Sequence, residues 1–374
     1  MSLPTPMVHP LASPDLSEAD IAAVLRVLRS GALVQGPEVS LFESQFEAFT
    51  GAPHAIAVAN GTVAIQLALT AVGITTGDEV IVPAFSFIAT ANAVVLCGAT
   101  PVFVDVDPRT FNLDPALIEA ALTKRTRAIL PVHEFGLCCE IDAVLAIAAQ
   151  HNLTVIEDAA CALGSRHHGK HAGTFGALGT FSLHPRKVIT CGEGGVIITA
   201  SADLAGRLRS LRNHGASVPP HGPAFINAGY NARLTDFQAA LVASQMLRLE
   251  SNLRHRAELA AYYFAHIRHP GVTLPHVPAG KQPNWQTFHL LLDDNIDQAA
   301  TITGLRAQGI GTNLGAQCIP AQEYYRSRHR DNGDSTFPHA WRAWRQGLAI
   351  PLHEKISLSD AAQITTAINQ LPLS

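Results

Sequence analysis

The sequence predicts an α/β fold, in which a mostly parallel sheet is covered by helices on both faces. Apolar runs of strand length alternate with helical patterns through the first two-thirds of the chain, which is the rhythm of such a sheet. Five runs are predicted to be strands: 54–59, 78–84, 100–107, 126–133 and 153–158. Ligands of these sheets collect at the carboxyl ends of the strands, so the residues that follow the runs are the first candidates for a site.

Chain length and a change of rhythm predict two domains behind a short arm. At 374 residues the chain is too long for one simple core. Residues 1–30 are expected to form an arm with an opening helix from Ser17 to Arg29, residues 31–250 the large domain, and residues 251–374 a smaller α+β domain. One long helical pattern, 236–267, is expected to connect the two domains.

The composition argues against several classes of partner. The formal net charge is −4, so no global basic field points to nucleic acid. The first residues lack a basic-then-apolar signal layout, and no apolar run approaches about 18 residues, so we expect a cytoplasmic protein that does not enter a membrane. The six cysteines show no metal-ligand spacing, so we expect reduced thiols and no metal site.

The first candidate site is Asn60-Gly61-Thr62, which follows the first strand and begins a helix. Backbone N–H groups at a helix N-terminus bind anions, a glycine permits close approach, and the Thr62 hydroxyl can add a bond. The alternative is an ordinary turn in which Thr62 caps the helix.

Two further candidates follow other strands. Asp158 ends the apolar run 153–158, and a carboxylate buried there needs a partner, such as the cationic ring nitrogen of a ligand. The alternative is an aspartate that caps the next turn. Phe87 follows the run 78–84 and can stack on a flat ring, although a phenylalanine is more often part of the core.

The fourth candidate is the stretch TFSLHPRKVITCGEGG, residues 180–195. Ser182 offers a hydroxyl to a phosphate oxygen. Lys187 follows a turn at Pro185, and a lysine in apolar surroundings loses its charge more readily and becomes a nucleophile toward carbonyl compounds. The alternative is a surface lysine in a loop, the commoner fate of lysine.

Together these residues supply a phosphate cradle, a partner for a ring nitrogen, a stacking face and an amine. Pyridoxal 5′-phosphate (PLP) requires all four. In this interpretation Asp158 keeps the pyridine nitrogen protonated, and Lys187 holds the aldehyde and later moves a proton. A dinucleotide site fits less well, because no G-x-G-x-x-G follows the first strand.

Several stretches resemble the DegT/DnrJ/EryC1/StrS family of sugar aminotransferases, from about residue 36 to the C-terminus. The matching stretches are VPAFSFIATANAVVLCGATPVFVDVDPRTFNLDP, RAILPVHEFG, IEDAA, FSLHPRK, GEGGVI, RNHG and GYNARLTDFQAAL. The resemblance implies PLP fold type I, the aspartate-aminotransferase type, with a seven-stranded, mostly parallel sheet in the large domain.

The resemblance also implies roles for single residues. Lys187 matches the lysine that forms a Schiff base with the cofactor, and Asp158 matches the partner of the pyridine nitrogen. Gly61, Thr62 and Ser182 match the phosphate binders.

Two more matches concern the ring and the neighbouring subunit. Phe87 matches the aromatic residue that stacks on the cofactor ring. Asn231, in GYN, matches an asparagine that reaches the phosphate from the partner subunit, which implies a homodimer with shared active sites. Only 15% of the residues of the chain are charged, and a surface poor in charge agrees with a large buried interface.

The chain departs from the family pattern at three places. Cys161 stands where glutamine is usual near the ring hydroxyl, and Ala232 stands where an aromatic residue is common. Gly315-Ala316 replaces a His-Tyr pair that usually faces the sugar. The GAQ stretch that ends at Gln317 is similar to that of a subset that aminates C4 of dTDP-4-keto-6-deoxyglucose.

Two other features are candidates for substrate binding. The run YYRSRHR contains Arg326, Arg328 and Arg330, whose guanidinium groups can meet a nucleotide diphosphate or belong to a solvated loop. His184, three residues before the lysine, either shapes the site or packs elsewhere.

The resemblance implies an aminotransferase that moves an amino group, from L-glutamate, to a nucleotide-linked 4-keto-6-deoxy sugar. With dTDP-4-keto-6-deoxy-D-glucose the product is a 4-amino-4,6-dideoxy sugar. The alternatives are a PLP-dependent sugar dehydratase, whose members carry histidine in place of the lysine, and a regulatory protein that senses sugar nucleotides without turnover. Lys187 argues against the first alternative, and the intact set of Lys187, Asp158 and Ser182 argues against the second.

Overall fold

The computed structural model describes residues 8–217, 224–328 and 334–372. The helices of these ranges are α1 (Glu18–Ser30), α2 (Pro37–Thr50), α3 (Gly61–Ala71), α4 (Ala89–Leu96), α5 (Ile118–Ala121), α6 (Ile141–His151), α7 (Ala202–Arg212), α8 (Asp236–Met246), α9 (Leu249–His266), α10 (Gln298–Ala307), α11 (Glu323–Arg326), α12 (Pro338–Gln346) and α13 (Leu358–Asn369). Short 3₁₀ turns lie at Pro115–Leu117 and Glu134–Gly136.

The strands are mostly short. They are β1 (His54–Val58), β2 (Glu79–Pro83), β3 (Phe85–Ser86), β4 (Thr100–Val104), β5 (Thr126–Ile129), β6 (Thr154–Asp158), β7 (Arg166–His167), β8 (Lys170–His171), β9 (Leu178–Ser182), β10 (Gly195–Thr199), β11 (Ala216–Ser217), β12 (Ala224–Phe225), β13 (Val272–Thr273), β14 (Lys281–Gln282), β15 (Phe288–Leu292), β16 (Gln317–Cys318) and β17 (Gly347–Ile350).

A seven-stranded sheet organises the larger part of the chain, in the order β1-β10-β9-β6-β5-β2-β4. Strand β10 runs antiparallel to β1 and β9, and the other neighbours are parallel. The five runs predicted from sequence are β1, β2, β4, β5 and β6, although β4 and β5 end earlier than predicted, at Val104 and Ile129. The predicted α/β class with a mostly parallel sheet is confirmed.

Two apolar layers sandwich this sheet, because successive side chains of a strand point to opposite faces. On β1, Ile56 and Val58 join the core that contains α3, whereas Ala55 and Ala57 join the core that contains α2. The helices therefore cover both faces, as the sequence predicted.

The C-terminal part has a core of its own. Strand β15 pairs antiparallel with β13 and β17, and all five of its residues are buried. Helices α9, α10 and α13 contribute apolar side chains to the same cluster. The Tyr263 hydroxyl donates to Pro351 O at 2.6 Å and joins α9 to the segment after β17. This unit has the α+β character expected of the smaller domain.

The long helical pattern over 236–267 is two helices, not the single one predicted. Helix α8 ends at Met246, and α9 begins at Leu249 after Arg248, whose φ is −116°. The Arg248 guanidinium donates to both carboxylate oxygens of Asp20 in α1, at 2.9 and 2.6 Å. Leucine and arginine are good helix formers. The break is therefore set by a tertiary contact that local sequence does not reveal.

The opening helix agrees with its prediction. Helix α1 spans Glu18–Ser30, and Ser17 caps it in a capping box with Asp20. The predicted boundary at residue 250 stays a prediction, because the chain later returns to the larger core. Strand β16 pairs with β3, and Tyr325 and Phe337 are part of the core that contains α3.

Among the described residues, no helix is both long enough and apolar enough to cross a membrane. All six cysteines are free of disulfide bonds in the structure.

Candidate active site

A cleft at the carboxyl end of the central sheet gathers most of the residues singled out from sequence. It has an empty volume of about 1250 Å³ and opens to solvent. Its lining includes Gly61, Thr62, Phe87, Asp158, Ser182, His184 and Lys187. The position is the one that the sheet rule predicts.

The start of α3 forms the end of the cleft that suits an anion. The Asn60 side chain caps the helix by accepting from Val63 N at 2.9 Å, so Asn60, not Thr62, is the cap. The N–H groups of Gly61 and Thr62 precede the first intrahelical bond, from Ala64 N to Asn60 O, and can face a ligand. An added Cβ at Gly61 would lie 2.9 Å from Ser182 Cβ and 3.2 Å from its Oγ. This close approach places the Ser182 hydroxyl beside the helix N-terminus.

Asp158 lies at the last position of β6 and is only 4% exposed. Its Oδ2 accepts from Thr90 Oγ1 at 2.8 Å, and its Oδ1 accepts from Ala160 N at 3.1 Å. Burial raises the pKa of Asp158 above its ordinary value, while these donors and the Lys187 ammonium act in the opposite direction. The carboxylate is thus held in a fixed orientation at the wall of the cleft, where a cationic partner would restore its preference for the ionised form.

The neighbouring Glu157 points to the other face of the sheet, as strand alternation requires. It accepts from Gly173 N and Gly176 N, each at 2.7 Å, and contacts His133 Nε2 at 2.8 Å. These partners satisfy its charge inside the fold. Of the two adjacent acids, only Asp158 faces the cleft.

Lys187 enters the cleft from the loop after β9. Its backbone N–H donates to His184 O at 2.8 Å across the turn at Pro185, and its Nζ donates to Cys161 Sγ at 3.0 Å. Burial raises the pKa of the Cys161 thiol, so this group stays protonated near neutral pH. The lysine is half-buried beside carboxyl groups, so its surroundings are less uniformly apolar than the sequence suggested.

Phe87 and His184 lie on the open side of the cleft. Phe87 is 61% exposed, so it is not the core residue of the alternative interpretation. His184 Nδ1 accepts from Arg186 N at 3.2 Å, and burial lowers the pKa of the ring, so it is neutral at neutral pH. Both residues are placed to contact a ligand.

Four other predicted site residues do not line this cleft. Asn231 is exposed and bridges to Asn213, and Gln317 pairs with Ser86 through β16. Arg326 pairs with Glu323, whereas Arg328 stacks on Tyr324 with its guanidinium carbon 3.9 Å from the ring centroid. Their roles stay predictions. Arg330 lies outside the described residues.

Several polar residues of the cleft were not predicted from sequence, and Ser86, Thr90 and Glu134 are three of them. Glu134 is a carboxylic side chain that follows a strand, only 4% exposed. Glu134 directly follows the predicted run 126–133, so the rule that selects residues after strands indicates it as well.

The residues present fit PLP. The Gly61–Ser182 contact leaves a cradle that any larger residue at position 61 would fill. Asp158 is a buried carboxylate that hydrogen-bonds to no cationic side chain among the described residues, which suits a protonated ring nitrogen. Lys187 supplies the amine in the same cleft. The donor set therefore agrees with the group inferred from sequence.

Comparison with known proteins gives the family. The model of the DegT/DnrJ/EryC1/StrS aminotransferase family matches residues 14–369. GDP-perosamine synthase of Caulobacter vibrioides is 41% identical over 334 residues, which are 88% of this chain and 89% of that protein.

Two solved structures share the fold. DesV of S. venezuelae is 35% identical, with a TM-score of 0.89 and coverage of 98% of each chain. The PLP form of the putative sugar aminotransferase Spr1654 from Streptococcus pneumoniae is 25% identical, with a TM-score of 0.91 and coverage of 96% of this chain and 97% of that one. The chain therefore belongs to the DegT/DnrJ/EryC1/StrS aminotransferase family, and it is a sugar aminotransferase whose cofactor is PLP.

Proposed function

We propose that this enzyme transfers an amino group from L-glutamate to a nucleotide-linked 4-keto-6-deoxy sugar. The first candidate is dTDP-4-keto-6-deoxy-D-glucose, which would become a 4-amino-4,6-dideoxy sugar. The observation that carries the proposal is the position of the Lys187 amine, in one cleft with Asp158 and the Gly61–Ser182 cradle. A nucleophilic amine, an acid for a ring nitrogen and an anion cradle are the parts that transamination needs.

Two small residues in the wall of the cleft support a sugar acceptor. Gly315 and Ala316 line it, and Gly315 has a φ of +82°, which favours glycine. A Cβ at Gly315 would lie 2.6 Å from His289 Nδ1 and 3.0 Å from Phe135 Cζ, so no larger residue fits there. These small residues keep space open beside Phe87, where we place the sugar ring.

The nucleotide is the less defined half of the acceptor. The similarity of the GAQ stretch favours a dTDP-linked sugar, whereas the Caulobacter relative is a GDP-perosamine synthase, which favours a GDP-linked sugar. Both support a nucleoside diphosphate sugar as the class of substrate. GDP-linked sugars are therefore the first comparison in any test.

Bound PLP supplies an aldehyde that reacts with amines and a ring that withdraws electrons. Asp158, fixed by Thr90 and Ala160, offers its carboxylate to the ring nitrogen. The N-terminus of α3 and the Ser182 hydroxyl would hold the phosphate. The Lys187 amine would take a proton from the amino-acid carbon in the first half of the reaction and deliver one to the sugar carbon in the second half.

We also propose that two copies of the chain share their active sites. Asn231 is exposed and does not line the cleft of its own chain. The neighbouring Tyr230 is 42% exposed, and Phe225 and Ile226 are 71% and 64% exposed. An apolar surface of this kind next to Asn231 supports a subunit interface that carries Asn231 to the partner's phosphate cradle.

The role of Lys187 is tested by Lys187→Ala. We expect the variant to fold and to bind PLP, but to lose the visible absorption of the wild-type complex and its glutamate-dependent change. Turnover should fall by at least about 10³-fold, since the group that moves the proton is gone. Lys124→Ala is the matched control, because Lys124 is exposed and does not line the cleft. Full turnover by Lys187→Ala would remove the residue from its proposed role.

A further inference from the structure

Glu134 is a buried acid in the cleft that the proposed function does not use. It lies in the 3₁₀ turn Glu134–Gly136, shortly after β5, and shares the cleft with Asp158, Cys161 and Lys187. A second carboxyl group beside Asp158 is unfavourable if both are ionised, because like charges in a buried site repel. Its presence therefore requires an explanation.

The backbone holds this side chain in place. Glu134 N donates to Asn112 Oδ1 at 2.8 Å, and Gly136 O accepts from Ser165 Oγ at 2.6 Å. Phe135 has a φ of 55°, which is rare for a residue with a side chain. A Cβ at Gly136 would lie 1.9 Å from Asn284 Oδ1. The turn is thus packed too tightly for Glu134 to leave the cleft easily.

A row of hydroxyl groups connects the two acids. Thr90 Oγ1 donates to Asp158 Oδ2 at 2.8 Å, Ser86 Oγ lies 3.2 Å from Thr90 Oγ1, and Ser86 in turn hydrogen-bonds the Glu134 side chain. Each hydroxyl has one proton to donate. If Thr90 donates to the Asp158 carboxylate, Ser86 must donate to Thr90 and accept from Glu134. The complete row therefore requires a proton on Glu134.

We propose that Glu134 is a neutral carboxylic acid that acts as a positioning residue of the cofactor site, on the side of Cys161. Its proton makes Ser86 donate to Thr90 and Thr90 donate to Asp158, so Asp158 is the acid that carries the charge. It also places a carboxyl group, with hydrogen-bonding capacity that the Cys161 thiol lacks, beside Lys187. The proposal rests on PLP occupying the cleft, as in the proposed function.

The electrostatics of the surroundings agree. Burial and the Asp158 charge raise the pKa of Glu134 to about 8, and the Lys187 ammonium acts in the opposite direction. On the other side of the turn, Arg109, His276 and His289 line a small cavity together with Glu134. Burial lowers the pKa of His289 to about 3, so this ring brings no positive charge to the acid.

The direct test is the protonation state of Glu134 in the PLP-loaded enzyme, with no sugar present. At pH 7 we expect the wild type to show the infrared carbonyl band of a protonated carboxylic acid, and this band should disappear as the pH passes about 8. The band should be absent from Glu134→Gln and present in the exposed control Glu258→Gln. If the band is absent at pH 7, or disappears in Asp158→Asn but not in Glu134→Gln, the proposal is wrong.

A second readout separates positioning from mere packing. The negative charge of an ionised Glu134 favours a proton on the nitrogen of Lys187, and Glu134→Gln removes that charge. The pH midpoint of the visible absorption should therefore be about one pH unit lower in Glu134→Gln than in the wild type. An unchanged midpoint would overturn the positioning role.

If Glu134→Gln does not fold, ¹³C-carboxyl labelling of the wild-type glutamates gives the answer. One labelled carboxyl group should titrate near pH 8, and titration of all of them at the acidic pH usual for glutamate would contradict the proposal. Neither measurement depends on sugar turnover, so failure here is distinct from failure of the proposed function.

Discussion

The ionisable residues of the cleft have different tasks because their local partners differ. Asp158 accepts two hydrogen bonds and faces the part of the cleft where we place the cationic ring nitrogen. Glu134, in contrast, is repelled by the negative charge of Asp158. Cys161 stays a thiol in contact with the Lys187 amine. Environment, more than residue type, assigns these roles.

The raised pKa of Glu134 predicts a pH dependence of stability. The folded chain keeps this proton up to pH about 8, whereas the unfolded chain releases it near 4.5, so unfolding releases a proton between these values. Raising the pH through this window therefore destabilises the fold, by up to about 1.4 kcal/mol per pH unit. Below the window both states are protonated, and above it both are ionised, so the effect levels off.

Glu134→Gln should remove this slope, and denaturant unfolding of the cofactor-free chain between pH 5 and 9 measures it. Glu258→Gln should keep the wild-type slope, because Glu258 is exposed. Equal slopes in the wild type and Glu134→Gln would contradict the assigned pKa.

At the scale of elements, the site depends on how α3 meets β9. The helix begins where β1 ends, and the missing side chain of Gly61 lets Ser182 lie against its first turn. The sequence predicted this junction correctly, because strand, glycine and helix follow one another in the chain. It assigned the cap to Thr62 as one alternative, whereas Asn60 is the cap, and both residue types are suited to that position.

Gly61→Ala should weaken PLP binding by roughly tenfold, because the new methyl group pushes Ser182 away from the phosphate cradle. The matched control is Gly206→Ala in α7, where an added Cβ meets no atom within 4 Å. It should leave PLP affinity unchanged. Dissociation constants from absorbance titration decide the matter, and equal affinities for the two variants would argue against a cradle at Gly61.

At the scale of the whole molecule, the sequence predicted the class of fold but not the pairing of its strands. Runs such as 54–59 and 153–158 reveal strands through local composition. The antiparallel insertion of β10 between β1 and β9 depends on partners far apart in the chain. The break at Leu247 and Arg248 has the same cause, since Asp20 of α1 holds Arg248.

The candidate site was predictable to a similar degree. Lys187, Asp158 and Ser182 occupy motifs that stand out in sequence, and the structure brings them into one cleft. Thr90 enters the site only through the fold, because it comes from α4, whereas Glu134 directly follows a predicted strand and its burial in a tight turn is what the fold adds. No local pattern indicates that these two would be linked through Ser86.

A shared active site predicts complementation between inactive subunits. Chains with Lys187→Ala and chains with an inactivating Asn231 substitution, mixed and reassembled, should regain about a quarter of the wild-type activity, because one site of each mixed dimer has both residues intact. The control is each variant reassembled alone, which should stay inactive. No recovery in dimers shown to be mixed would mean that Asn231 serves its own chain.

The central claim is tested most directly by the product. The PLP-loaded enzyme is incubated with L-glutamate and a panel of dTDP- and GDP-linked keto sugars, and the products are identified by mass and NMR. We expect one acceptor to yield an amino sugar at C4, in a reaction that requires both glutamate and Lys187. A deoxy sugar without new nitrogen, or the absence of any glutamate-dependent step in the loaded enzyme, would contradict it.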